Sequence, residues 1–240
     1  MKEEDSLDRE LNCEDGICET RDIEVNSLAS KVDSVEKQRL LYFGDPMCSW
    51  CWGITNHLEK IKEEWKKTFD FELVLGGLRP GGGDAWTPEF REMIRSHWEH
   101  VQKASGQPFD YRFFDQKEFN YDTEPPARAV RVIRDLAPEK EWLFYKSLQR
   151  MFYAENRDIQ DLSELEKVCF ELGIDFIAFE SRFLSQEYKQ LVQKDFMKSQ
   201  HLGVRGFPAV VLQKGEEYYA VTMGYTDYST MTSNIKKILS

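Results

Sequence analysis

Two cysteines three positions apart, Cys48 and Cys51, stand where an apolar run ends and a helical period begins, and this junction constrains the chain most. The run Arg39-Leu40-Leu41-Tyr42-Phe43 has the length and the apolar, aromatic character of a buried strand. Gly44-Asp45-Pro46 breaks it. Beyond Cys51, the residues Ile54, Leu58, Ile61 and Trp65 recur at three- and four-residue steps, which sets them on one face of a helix. The unpaired N–H groups at a helix start and the positive end of its dipole favour an anion there. A thiolate so placed is the attacking species of thiol–disulfide exchange. Cys48, nearer the helix start, is expected to be the exposed nucleophile, and Cys51, one turn further in, the buried resolving thiol.

A Cys-x-x-Cys pair is also half of a zinc site, which usually requires two further ligands. Cys13 and Cys18 are the nearest other sulfur pair, set in a polar stretch, and no Cys/His pair of finger spacing follows. His97 and His100, with Glu99 between them, could face one ion from a helix, but no third ligand is placed by the sequence. Redox chemistry is therefore the reading of Cys48 and Cys51, with no metal and no cofactor expected.

A second signal lies at Gly203-Val204-Arg205-Gly206-Phe207-Pro208, directly before the apolar run Ala209-Val210-Val211-Leu212. A proline at the mouth of a strand cannot donate to the ladder, so Pro208 marks a turn, an edge or a cis bond.

Together these motifs resemble the thioredoxin superfamily, and the stretch Asp45-Pro46-Met47-Cys48-Ser49-Trp50-Cys51-Trp52-Gly53 resembles its DsbA-like branch. The closer likeness is to cytoplasmic members with a Cys-x-Trp-Cys-Trp-Gly signature. Leu75-Gly76-Gly77-Leu78-Arg79-Pro80 and Asn120-Tyr121-Asp122-Thr123-Glu124-Pro125-Pro126-Ala127-Arg128-Ala129 are similar to that group as well, so the likeness spans residues 39 to 239. It implies an α/β thioredoxin fold with an inserted all-helical domain and a mixed central sheet. It also implies a thiol–disulfide oxidoreductase acting through Cys48 and Cys51, with Pro208 in a loop that holds substrate backbone beside the sulfur. Phe207 and Trp50 are expected to give that sulfur an apolar, substrate-binding rim, with Trp50 exposed and Trp52 packed inward. Secreted DsbA enzymes carry a histidine between their cysteines, and Ser49-Trp50 stands in that place here. Strong oxidising power is therefore not carried over, and a reducing cytosol favours the reductase or isomerase direction over net oxidation. Two alternatives share the resemblance: a glutathione-dependent transferase or isomerase of the kappa type, and a non-catalytic protein-binding adaptor. Neither needs both thiols, and both are present.

The chain has 240 residues, 41% hydrophobic content and six Trp, enough for one core plus an insertion. Residues 39–85 and 187–240 are expected to form the thioredoxin-like domain and residues 86–186 the helical insertion. The net charge of -11 is concentrated at the N-terminus, where residues 1–38 hold 12 Asp or Glu against 5 Lys or Arg. That segment lacks a sustained apolar period and reads as an acidic, disordered tail. An acidic chain without a basic, aromatic-rich face argues against nucleic acid as a partner. No apolar stretch approaches the roughly 18 residues of a membrane span, and Met1-Lys2-Glu3-Glu4-Asp5 lacks the apolar centre of a signal peptide. A cytoplasmic location is expected, with a disulfide-containing protein or a small thiol such as glutathione as partner.

Helix starts are written at Thr87-Pro88-Glu89, at Pro125-Pro126, before Trp142 and at Ser163-Glu164, so four or five helices are expected in the middle of the chain. Cys169, between Val168 and Phe170, is expected in the core. The glycine-rich run from Gly76 to Gly83 lacks the Lys-Ser/Thr ending of a phosphate cradle and reads as a flexible hinge; the DsbA-like resemblance implies that this loop lies near the active-site face, which makes Gly77 and Arg79 candidate substrate contacts. Ala209–Gln213 and Tyr218–Thr222 read as paired strands, and Asp227 or Ser229 as the cap of a last helix. Cys13 and Cys18 could form a small disulfide or relay electrons, although Glu14, Asp15 and Glu19 should raise their pKa values and slow attack.

Overall fold

The computed structural model describes residues 12–14, 17–19 and 38–240. Its strands are β1 (Asn12–Glu14), β2 (Ile17–Glu19), β3 (Arg39–Gly44), β4 (Asp70–Leu75), β5 (Ala209–Lys214) and β6 (Glu217–Met223). Its helices are α1 (Ser49–Trp65), α2 (Pro88–Ser105), α3 (Glu124–Leu136), α4 (Glu141–Glu155), α5 (Leu162–Glu171), α6 (Phe176–Phe183), α7 (Gln186–His201) and α8 (Tyr228–Leu239), with short 3-10 turns at Tyr111–Asp115 and Pro138–Lys140.

The six strands form one sheet in the order β1-β2-β6-β5-β3-β4. β3 and β4 run parallel, and the other pairs are antiparallel, so the sheet is mixed. The parallel pair needs a crossover, and α1 supplies it. Because successive side chains of a strand face opposite sides, β3 sends Leu40 and Tyr42 into the main core and Leu41 and Phe43 into a smaller one with Val74, Val204, Ala209 and Val211. β3 lies between β4 and β5 and has helices on its main-core face, which explains why it reads as an unbroken apolar run.

The helical segment centres on Trp98, fully buried on α2. Its ring meets Phe113 at 5.0 Å, Phe114 at 4.8 Å and Tyr153 at 5.1 Å. Five helices, α2 to α6, lie between Pro88 and Phe183 among the described residues. α2 begins on its Thr87 cap, whose side chain accepts from the Phe90 N–H. α5 begins one residue before Ser163, capped by Asp161 rather than by Ser163. α6 has no separate signal in the sequence reading; Asp175 caps it by accepting from Ile177 and Ala178, and Phe179 and Phe183 bury its inner face.

The Gly76–Gly83 run is tied down rather than free to hinge. Gly81 N–H donates to the Asp122 carboxylate at 2.7 Å, Gly83 N–H to Asn120 Oδ1 at 3.1 Å, and Arg79 N–H to Thr123 Oγ1 at 3.0 Å. Within residues 1–38 the structure describes Gln38 and the paired strands β1 and β2, which join the β6 edge; the rest of the expected tail lies outside the described residues. No helix among the described residues is long and apolar enough to cross a membrane.

Candidate active site

Cys48 is the N-cap of α1, in extended conformation, so its side chain stands at the positive end of the helix. The preceding turn is closed by Cys48 N–H donating to the Asp45 carbonyl at 3.1 Å. Across the sheet, the Phe207–Pro208 bond is cis and presents the Phe207 carbonyl to Cys48, which donates to it through Sγ at 3.5 Å. The two motifs separated by 159 residues thus meet. Cys48 is 5% exposed and Cys51 is 0% exposed, and both are free thiols. Cys51 is buried as the sequence suggests, but Cys48, expected to be exposed, is buried too. The proline loop lies against it.

Cys51 is held well above its ordinary pKa, first by burial and then by its hydrogen bond with Cys48 and any charge there. Hydrogen bonds from the Asp45 backbone and the Tyr42 hydroxyl act the other way. A thiol so placed holds its proton.

Behind Cys51 lies a buried polar ring. Tyr42 and Tyr145 share a hydroxyl contact of 3.1 Å, and the Tyr145 hydroxyl donates to the Asp45 carbonyl at 3.2 Å. Gln149 Nε2 donates to the Tyr145 hydroxyl at 3.1 Å, while Thr55 Oγ1 lies 2.8 Å from both Gln149 Oε1 and the Cys51 carbonyl. The Asp45 carboxylate accepts from Met47 N–H and Leu78 N–H, each at 2.8 Å. Burial nevertheless pushes it up to about 6, against the lowering effect of those bonds and of Thr123. In the sequence Asp45 reads as a turn residue and Tyr42 as a strand residue. The only signal of more was an acid inside an apolar junction.

Trp50 is half-buried rather than exposed: its ring lies 5.2 Å from that of Tyr225, whose hydroxyl contacts His57 Nε2 at 3.4 Å. Burial, more than nearby Lys60, lowers the His57 pKa. Trp52 is buried, donates from Nε1 to the Pro108 carbonyl at 3.1 Å and stacks on Tyr153. Phe207 is half-buried and lies over Gly76, where a Cβ would come within 2.3 Å of its ring. Only glycine leaves room there for the ring beside the cysteines. Gly77 is set against Phe196, and Arg79 pairs with Asp84 beneath the Phe90 ring. Cys169 is fully buried and pushed up to about 12 by burial. His97 and His100 are exposed on α2, and among the described residues no three His, Cys, Asp or Glu gather to hold a metal ion.

Residues 39–236 match the family described as the DSBA-like thioredoxin domain. Among solved structures, the chain is similar to a Nitrosomonas europaea protein with the provisional name protein disulfide isomerase: 35% identity over 85% of this chain and 98% of that one, with a TM-score of 0.78. The fold is also similar to the cytosolic disulfide reductase DsbM from Pseudomonas aeruginosa, at 23% identity over 84% of this chain and 98% of that one, TM-score 0.68. A second DsbM structure, with GSH, aligns at 22% identity over 84% and 98% of the two chains, TM-score 0.67. Among curated proteins none matches.

Proposed function

The chain belongs to the DSBA-like thioredoxin domain family, and from that premise we propose that it is a disulfide oxidoreductase working in the reductase or isomerase direction through Cys48 and Cys51. The observation that carries this reading is the meeting of Cys48 Sγ, at the start of α1, with the Phe207 carbonyl at 3.5 Å while Cys51 sits one turn behind. Cys48 thiolate attacks one sulfur of a substrate disulfide, forming a mixed disulfide and releasing the other sulfur as a thiolate. Cys51 then gives up its proton and attacks Cys48, so the substrate leaves with two electrons and the enzyme holds a Cys48–Cys51 disulfide. Two equivalents of a small thiol return the pair to dithiol.

In this reading Pro208 and Phe207 hold substrate backbone beside the sulfur, and Trp50 with Tyr225 forms an apolar flank. The buried Cys51, held protonated, delays resolution until a mixed disulfide exists. Ser49-Trp50 between the cysteines and a cytosolic setting favour reduction or isomerisation, because a reducing compartment keeps such a pair as thiols. Similarity to a provisional protein disulfide isomerase and to a disulfide reductase whose structure is described as with GSH supports the same direction, with glutathione as electron donor. In the same reading residues 86–186 are the helical insertion, and the Cys-x-Trp-Cys-Trp-Gly signature supports a place in the cytoplasmic branch.

Insulin reduction with glutathione as donor tests the proposal. Cys48→Ser is expected to abolish turnover, and Cys51→Ala to accumulate mixed disulfides on Cys48. Turnover that survives in Cys48→Ser overturns the assignment.

A further inference from the structure

Cys13 and Cys18 take no part in the site above, yet the topology sets them opposite each other: in the β1–β2 pair they are register partners, flanked by Asn12 with Glu19 and Glu14 with Ile17. β2 in turn pairs with β6 through Glu19 and Tyr219, so this hairpin covers the β6 edge and β1 becomes the outermost strand. We propose that Cys13 and Cys18 are a second thiol–disulfide couple, separate from Cys48 and Cys51, whose closure holds the hairpin on the β6 edge.

Directly opposed residues of an antiparallel pair have Cα atoms about 4.5 or 5.5 Å apart, and both values fall within the roughly 4.4–6.8 Å span of a disulfide. The two residues between the strands are Asp15-Gly16, the composition favoured in two-residue hairpin connections. In such a hairpin the pair next to the connection exchanges both backbone hydrogen bonds. The following pair, here Cys13 and Cys18, then falls at a non-hydrogen-bonded position, where the two strands bring residues closest.

Two strands of three residues each are marginal as an isolated hairpin. A cross-link removes open conformations from the alternative state and so favours the paired one. Without the hairpin, β6 would present an open edge of N–H and C=O groups.

Glu14, Asp15 and Glu19 set the tempo of the couple. Their charges disfavour both thiolates, repel anionic thiols and make each cysteine a poor leaving group, so the disulfide is slow to form and slow to open. The couple therefore holds a state rather than turning over. Its oxidant is a small-molecule disulfide of the glutathione type. One cysteine thiolate attacks it, releases one glutathione and leaves a mixed disulfide. The second cysteine attacks that bond, releases the second glutathione and closes Cys13–Cys18. Two electrons pass to the glutathione sulfurs, and the two thiol protons end on them.

The test uses the full chain carrying Cys48→Ser and Cys51→Ser, so its outcome is independent of the function proposed above. After equilibration in graded glutathione redox buffers, free thiols are alkylated and the protein is digested with trypsin, which cuts after Arg9 and Arg21 and leaves both cysteines in one peptide. That peptide is expected to become unalkylated and two hydrogens lighter, with a midpoint of its own. Amide exchange of β6 around Tyr219 is expected to slow on oxidation and to lose that response when Cys13→Ser and Cys18→Ser are added. A peptide that stays alkylated or carries glutathione across the series overturns the proposal. So does a cysteine bridge between two copies, or β6 exchange that ignores the redox state.

Discussion

The Tyr42 hydroxyl touches two buried groups at once, Tyr145 and Cys51. A hydroxyl that donates to a developing thiolate lowers the cost of ionising it. Tyr42→Phe is therefore expected to raise the Cys51 pKa further and shift resolution of a Cys48–glutathione mixed disulfide to higher pH, at a stability cost of about 1 kcal/mol. Stopped-flow rates across pH check it, and an unmoved profile removes Tyr42 from the chemistry. Asp45 makes a separate prediction. Its carboxyl titrates at about 6 in the folded protein and ordinarily at 3.8. Between those values the folded chain binds more protons than the unfolded one, so its contribution to stability falls as pH rises from about 4 to about 6, by roughly 3 kcal/mol at most. Urea unfolding at the two ends of that window should show a smaller fall for Asp45→Asn than for wild type, and equal falls would contradict the burial of a titrating acid. Neither role was legible from the sequence. Tyr42 fits a strand and Asp45 a turn, and the groups they meet, Tyr145 and Leu78, lie 103 and 33 residues away.

At the scale of elements, Arg134 on α3 joins three others. It donates from Nε to Glu141 at the start of α4 at 2.6 Å, from Nη1 to Asp195 on α7 at 2.8 Å, and from Nη2 to the Leu73 carbonyl of β4 at 2.8 Å. Arg134→Leu leaves two carboxylates without their shared cation and should cost about 1.5–3 kcal/mol in denaturant unfolding. A change within about 0.5 kcal/mol, the range of an ordinary surface substitution, would show that the clamp contributes little. Element starts and types were largely readable, because caps and periods are local. Thr87 caps α2 and Asp227 caps α8, as the sequence suggests. The cap of α5 was displaced because Asp161 competes with Ser163 and accepts the Ser163 N–H. α6 is only eight residues long, too short to show a period. The glycine run looked like a hinge because glycine permits motion. Its hydrogen bonds to Asn120, Asp122 and Thr123 depend on where α3 begins.

For the whole molecule, the Trp98 cluster joins the helical segment to the cysteine helix. Trp98 and Val101 share α2, and Gly53 of α1 lies so close that an added Cβ would fall 2.9 Å from Val101 Cγ1. Trp98→Ala should cost roughly 3–5 kcal/mol and lower the temperature at which insulin reduction is lost. A variant as stable as wild type would deny the cluster that role. The sequence by itself determined the thioredoxin-like strand and helix order, the cysteines at a helix start and the proline at a strand mouth, since each is encoded within a few consecutive residues. Tertiary structure decided that the Phe207 carbonyl lies against Cys48, that the proline loop shields this thiol, that Tyr42 stands behind Cys51 and that Trp50 leans on Tyr225. Those contacts join segments far apart along the chain, and strand order and side-chain packing bring them together, which local periodicity does not encode.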